Sequence, residues 1–366
     1  METFSGILGN KPVLRLLDNA LTSGEAAHAY LFYGPPGIGK RTVAYRFGAT
    51  LVSSGDKGAE DRALRGLHPD LLEVEPNGQF TTIGQVREIV RLAASRPFEG
   101  ARRVLILHAD TLNVQAANAL LKTLEEPEGG AVFVLLATSR EGVLPTIASR
   151  TQEVRFDPVP KGEIVSFLRD RGHTEGEARL AGSLGRSSVG LALRHAEEDE
   201  FKELREAVSD AVLSFGISFE ERHDTVGKIV ARAENVGNAR EKAYLADRDA
   251  DEGADRRVKE SAKRIGRAAR DGAAVETLEL SMLLYRDAAV VAEGVPEIVT
   301  NVDKIDELRA LVADYPEADW VGAAHAFREA RESLAYNVSP EAILEVALSR
   351  ARRKILGTLP SGSSPG

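Results

Sequence analysis

Gly34-Pro-Pro-Gly-Ile-Gly-Lys-Arg-Thr42 constrains the fold of this chain more than any other stretch. It follows an apolar run, Tyr30-Leu-Phe-Tyr33, that reads as a strand, and it opens a helical pattern from Val43 onward. A glycine-rich turn between strand and helix lets backbone N–H groups point inward as an anion nest, and the helix N-terminus adds a favourable dipole. The candidate phosphate-binding residues are Gly34, Pro35, Gly37, Ile38, Gly39, Lys40, Arg41 and Thr42, with Lys40 reaching the β- and γ-phosphates. The competing reading is a glycine-rich turn with no ligand. One position departs from the pattern: the residue after the lysine normally supplies a hydroxyl to Mg²⁺, and here it is Arg41. Thr42 cannot simply take over, because one helix step turns a side chain by about 100°. Phosphate binding survives this change better than metal binding.

Around the loop, short apolar runs alternate with helical patterns. Asp70 to Glu75, Arg103 to Leu107, Ala131 to Ala137 and Thr151 to Phe156 read as further strands, with a turn at Pro76-Asn-Gly78. The runs Arg103 to Leu107 and Ala131 to Ala137 are continuously apolar, as in strands covered on both faces. Thr82 and Gln85 form a capping box ahead of Val86, Ile89, Val90 and Ala93 at helical spacing. Asn113 can cap a helix carrying Leu120, Leu121 and Leu124 that stops before Pro127. This alternation predicts an α/β domain over residues 1–157, a parallel sheet with helices on both faces. Asp157-Pro-Val-Pro160 reads as a linker. A small helical unit is expected over 158–200, an all-α domain over 201–355 and a flexible tail over 356–366. Residues 236–272 are densely charged with few large apolar side chains, so they read as an exposed helical arm or as partly disordered.

Bulk properties narrow the setting. No cysteine is present among the 366 residues, which excludes disulfides and thiolate-bound zinc. Apolar runs are strand-sized, far short of a membrane span, and Met1-Glu-Thr-Phe-Ser5 lacks the basic-then-apolar order of a signal peptide, so the expected compartment is the cytoplasm. A formal net charge of −9 means that any nucleic-acid contact is local or shared with partner chains.

Several uncommon strings recur in order. Ala27-His-Ala-Tyr-Leu-Phe32 leads into the loop, followed by His68-Pro-Asp70, Asn118-Ala-Leu-Leu-Lys-Thr-Leu-Glu-Glu-Pro127 and Ser149-Arg150. From about Gly6 to Phe156 the chain resembles the delta prime family of DNA polymerase III clamp-loader subunits. The resemblance weakens over 160–200 and is faint beyond, where Leu334-Ala-Tyr-Asn-Val-Ser-Pro340 is similar to the family's last helices. It implies an AAA+ fold: a P-loop domain, a helical lid and a C-terminal helical collar. It also implies an assembly with delta and gamma or tau subunits that places the sliding clamp on primed DNA using ATP, with no membrane involved. Many relatives carry four zinc-binding cysteines after the P-loop; here Ser53 to Glu60 and beyond has none.

The family pattern, counted back from Asn118, places the acidic Asp-Glu pair of a P-loop ATPase at Leu107-His108. Asp110 lies three positions on, where it is expected to serve the following turn. His108 reads as a bland polar residue or, less favourably, as a base. With Arg41 and Leu107 in place, both usual metal-side contacts are lost, so ATP or ADP is expected to bind, if at all, without hydrolysis and without a resident metal. The resemblance implies that Arg150 projects into the ATP site of an adjacent subunit as an arginine finger; from spacing alone it reads as a surface ion pair. Arg186 and Arg194 are the two candidates for a nucleotide-sensing arginine in the lid. Ser149 and Lys122 are weaker candidates for DNA backbone contact. Two other classes compete with a non-hydrolysing subunit: a hydrolysing gamma- or tau-like ATPase, and a P-loop small-molecule kinase.

Overall fold

The computed structural model describes residues 2–74, 76, 80–125, 128–213, 219–247, 256–334 and 339–357. The turn at Asn77 and Gly78, the stop at Pro127, most of the Leu334–Pro340 string, residues 248–255 and the tail past Gly357 lie outside them. Two compact units divide the chain. One comprises residues 1–172 and 185–192, the other 173–184 and 193–366. The segment expected as a lid over 158–200 is thus shared between them.

The first unit begins with α1 (Lys11–Ser23), β1 (Ala29–Tyr33), α2 (Lys40–Ser53), α3 (Lys57–Leu64) and β2 (Leu71–Val74). It continues through α4 (Ile83–Ala94), β3 (Arg103–His108), α5 (Val114–Glu125), β4 (Ala131–Ala137), α6 (Pro145–Ala148) and β5 (Gln152–Arg155). The five strands are parallel in the order β2-β3-β4-β1-β5. Alternate residues face opposite layers. Tyr30, Phe32, Val104, Ile106, Val132 and Val134 pack with Val43 and Phe47 of α2. Leu31, Leu105, Leu107, Phe133 and Leu135 pack with α4 and α5 through Val86, Ile89, Ala117 and Leu120. Covering on both faces is why β3 and β4 read as unbroken apolar runs. The capping box at Thr82 is formed: its Oγ1 accepts from Gln85 N at 3.3 Å and its N–H donates to Gln85 Oε1 at 3.0 Å. Asn113 caps α5 by accepting from Ala116 N at 2.9 Å.

The connection from β1 runs leftward to β2, and every later one runs rightward. That reversal makes the carboxyl end of β1 the topological switch point, where ligands of open α/β sheets bind. The phosphate loop lies there.

The lid segment supplies α7 (Lys161–Asp170), α8 (Glu175–Leu184) and α9 (Val189–Glu197). The second unit is helical beyond them: α10 (Asp199–Leu213), α11 (Phe219–Ala246), α12 (Arg256–Ala292), α13 (Ile305–Asp314), α14 (Trp320–Ser333) and α15 (Pro340–Leu356). The charged stretch 236–272 is helical on both sides of 248–255, as the end of α11 and the start of α12. Small residues explain why it carries so few large apolar ones. A Cβ on Gly237 would lie 2.8 Å from the Gly266 carbonyl oxygen, so the two backbones meet directly. Farther along, Tyr285 of α12 packs on Trp320 and Phe327 of α14, with ring centroids 6.4 and 5.6 Å apart.

Candidate phosphate loop and its surroundings

The loop takes the conformation that its glycines permit. Gly34, Gly37 and Gly39 have φ of 146°, 75° and 96°. The first N–H groups of α2 have no intrahelical partner and are available to an anion. Two glycines also answer to close approaches. A Cβ on Gly34 would stand 2.3 Å from the Phe156 carbonyl oxygen, and one on Gly37 would stand 2.0 Å from Ser188 Oγ. Ser188 donates to the Gly37 carbonyl at 2.9 Å. Left-handed backbone at Arg186 and Ser187, φ 47° and 69°, turns the chain into this contact. The segment 185–192 is thereby fastened to the phosphate loop.

Lys40 is buried, and its ammonium donates to the carbonyls of Gly34 at 2.5 Å and Pro35 at 2.6 Å. Burial lowers its pKa to about 8, partly opposed by the charge of Asp110. Asp110 does not serve the turn after it. Its Oδ2 accepts from both the N–H and the hydroxyl of Thr138, each at 3.0 Å, tying the ends of β3 and β4 together.

The metal side of the loop is filled by protein. Arg41 Nε donates to both carboxylate oxygens of Glu73, at 2.8 and 2.9 Å, and its Nη2 adds a further ion pair. Tyr45, one helical turn along α2, donates to Glu73 Oε2 at 2.8 Å. His108 Nε2 lies 3.3 Å from Glu73 Oε1. Burial alone would raise the Glu73 pKa, but the hydrogen bonds from His108, Arg41 and Tyr45 and the Arg41 charge bring it to about 2. Thr42 is exposed, as the helix rotation requires, and Leu107 is buried in the layer with α4 and α5. The residues present fit a phosphate group better than Mg²⁺: the hydroxyl after the lysine is missing and both oxygens of Glu73 are engaged by Arg41, Tyr45 and His108.

Arg150 stands at the other end of the strands. It precedes β5, whose Gln152 pairs with Tyr30 at the start of β1, whereas the loop follows Tyr33. Strands of this length span roughly 15 Å, so Arg150 does not meet its own chain's loop. Its Nε donates to Glu125 Oε1 at 2.5 Å and its Nη1 to the Thr146 carbonyl at 2.9 Å. The lid candidates separate: Arg186 is exposed in the sheet unit, while Arg194 in the helical unit donates to Glu198 at 3.2 Å and lies 3.8 Å over the Phe201 ring. Lys122 lies on α5, exposed in its last turn.

The His-Pro-Asp string is structural. Asp70 is fully buried and accepts from the N–H groups of Phe98, Glu99 and Gly100 at 2.7 to 3.0 Å and from Arg103 Nη2 at 2.9 Å. His68 Nδ1 accepts from the Asp70 N–H at 3.1 Å. Three residues important to the site carried no signal: Glu73, Tyr45 and Ser188. Glu73 sits in an alternating strand pattern that is indistinguishable from a solvent-facing one. Among the described residues, the trio of His223, Glu341 and Glu345 also has metal-ligand atoms within 4.8 Å of one another, on the surface of the helical unit.

A phosphate loop at the switch point of a five-stranded parallel sheet, followed by a helical region, defines a P-loop α/β protein. Residues 9–160 match the family described as "DNA polymerase III, delta subunit". Over 137 residues the chain is 42% identical to DNA polymerase III subunit delta prime of Pseudomonas aeruginosa, covering 34% of this chain and 42% of that protein. It is 31% identical over 204 residues to the delta prime subunit of Bacillus subtilis, covering 54% of this chain and 62% of that protein. The tau subunit of Bacillus subtilis is 30% identical over 178 residues, 46% of this chain and 31% of that protein. A DNA polymerase III gamma subunit-related protein from Thermotoga maritima aligns over 92% of this chain and 99% of its own, at 19% identity and a TM-score of 0.40. The chain therefore spans 42% and 62% of the two delta prime proteins' own length. Over residues 9–160 it is similar to the delta and delta prime subunits of DNA polymerase III. Lacking cysteine, it has no thiolate zinc site. Among the described residues no helix is long and apolar enough to cross a membrane.

Proposed function

We propose that this chain is a non-hydrolysing subunit of a bacterial clamp loader. In this role it assembles with delta and gamma or tau subunits, helps place the sliding clamp on primed DNA, and supplies Arg150 to the ATP site of a neighbouring subunit. Its own loop holds ATP or ADP without turning it over. The observation that carries the reading is the Arg41–Glu73 ion pair on the metal side of the loop, with Leu107 in place of a carboxylate. A P-loop ATPase needs its cation there to neutralise charge developing on the γ-phosphate. The position of Arg150 before β5, at the strand end opposite the loop, supports action on a neighbour's nucleotide rather than its own.

Mixing the chain with delta and gamma or tau subunits tests this. The expected result is one assembly with clamp-stimulated ATPase. In that assembly Arg150→Ala leaves assembly intact and slows turnover by about 10³-fold, the lower end for such arginines. Failure to assemble, or unchanged turnover in the variant, contradicts the proposal. The likeness to the tau subunit favours one second reading, a hydrolysing gamma- or tau-like ATPase. ATP turnover by the isolated chain separates the two.

A further inference from the structure

The side chains on the metal side form a closed set. Glu73 Oε1 takes Arg41 Nε and His108 Nε2, while Oε2 takes Arg41 Nε, Arg41 Nη2 and Tyr45 Oη. A carboxylate offers about four lone-pair sites, so Glu73 has none left for a metal. Asp110, the other carboxylate at these strand ends, has Oδ2 doubly occupied by Thr138. Mg²⁺ demands near-octahedral oxygen ligation, usually from one or two carboxylates together with substrate phosphates. A guanidinium held by Glu73 occupies the space beside the loop with no coordination requirement. Its net contribution beside Glu73 is close to neutral, which leaves Lys40 and the loop N–H groups to balance the ligand's charge. They suit two phosphates better than three, because Mg²⁺ ordinarily bridges the β- and γ-oxygens.

We infer that this loop takes a nucleoside diphosphate without a divalent metal, with the Arg41–Glu73 pair standing where the metal would be held. The inference rests on reading the loop as a nucleotide site and is independent of membership in any assembly. Calorimetric titration of the full chain with ADP and with ATP, each in EDTA and in excess Mg²⁺, tests it. The expected result is an ADP affinity that Mg²⁺ tightens by no more than about threefold, with ATP binding no tighter than ADP. Arg41→Thr, which uncovers Glu73 and places a hydroxyl after the lysine, makes Mg²⁺ tighten ADP by more than that factor. Greater tightening by Mg²⁺ in the natural chain overturns the inference but leaves the nucleotide reading standing. So does tighter binding of ATP. Absence of ADP binding in both buffers overturns inference and nucleotide reading together, and leaves assembly to its own test. An Arg41→Thr chain that is folded by circular dichroism yet indifferent to Mg²⁺ refutes the stand-in role of Arg41. If that variant does not fold, the comparison in the natural chain decides.

Discussion

Replacing Glu73 by Gln removes one negative charge and keeps the shape of the strand end. In the folded chain the carboxyl has a pKa of about 2 against an ordinary 4.5. A depressed carboxylate stabilises the fold fully above its ordinary value and loses that stabilisation as pH falls toward the folded value. The full difference converts to about 3 kcal/mol. Glu73 is 5% exposed, so the conversion holds for it, but the Arg41 side chain is 58% exposed and solvent screens its share. We therefore expect a loss of about 2–3 kcal/mol at neutral pH, shrinking to about 1 kcal/mol near pH 3. Urea unfolding followed by circular dichroism, for natural chain and variant across that range, reads both values. For a unit of this size the neutral-pH loss lowers the thermal midpoint by about 4–12 °C. An equal loss at neutral and acid pH means that packing, not charge, joins β2 to α2, and refutes the reasoning.

Asp70→Asn strips the charge from a buried site that three N–H groups and Arg103 share, so it costs about 3–5 kcal/mol by urea unfolding. A loss no larger than that of an exposed ion pair is the contrary result. Lys40 has a pKa lowered to about 8, and a bound phosphate favours its charged form. ADP affinity is therefore expected to hold below about pH 8 and to weaken as pH rises past it, with an unchanged affinity to about pH 10 as the contrary result. Glu125→Gln removes the carboxylate partner of Arg150. In a reconstituted loader it should leave assembly intact and keep or raise ATP turnover, whereas a fall like that of Arg150→Ala would mean that the pair positions the arginine.

The sheet was legible because its strands advertise themselves. β3 and β4 are apolar on both faces, and the phosphate loop, the Thr82 box and the Asn113 cap each act within a few residues. What stayed hidden depends on partners far apart in sequence. Arg41 and Glu73 are 32 residues apart, and neither marks the other. His-Pro-Asp was visible as a string, but its purpose emerged only when Asp70 met the N–H groups near residue 98, which no periodicity reports. Residues 236–272 read as an exposed helical arm or as partly disordered, and their described part is helical; the sequence did not announce that glycines at 237 and 266 let two helices meet closely. Arg186 and Arg194 were equivalent as sequence; they fall in different units, and Phe201 and Glu198 hold the second.

The central claim is that the loop around Lys40 has lost its metal side and with it hydrolysis. Phosphate release by the purified chain in Mg²⁺-ATP, beside a Lys40→Ala control, tests it most directly. The two are expected to be indistinguishable. Steady turnover by the natural chain that the lysine substitution abolishes would contradict it.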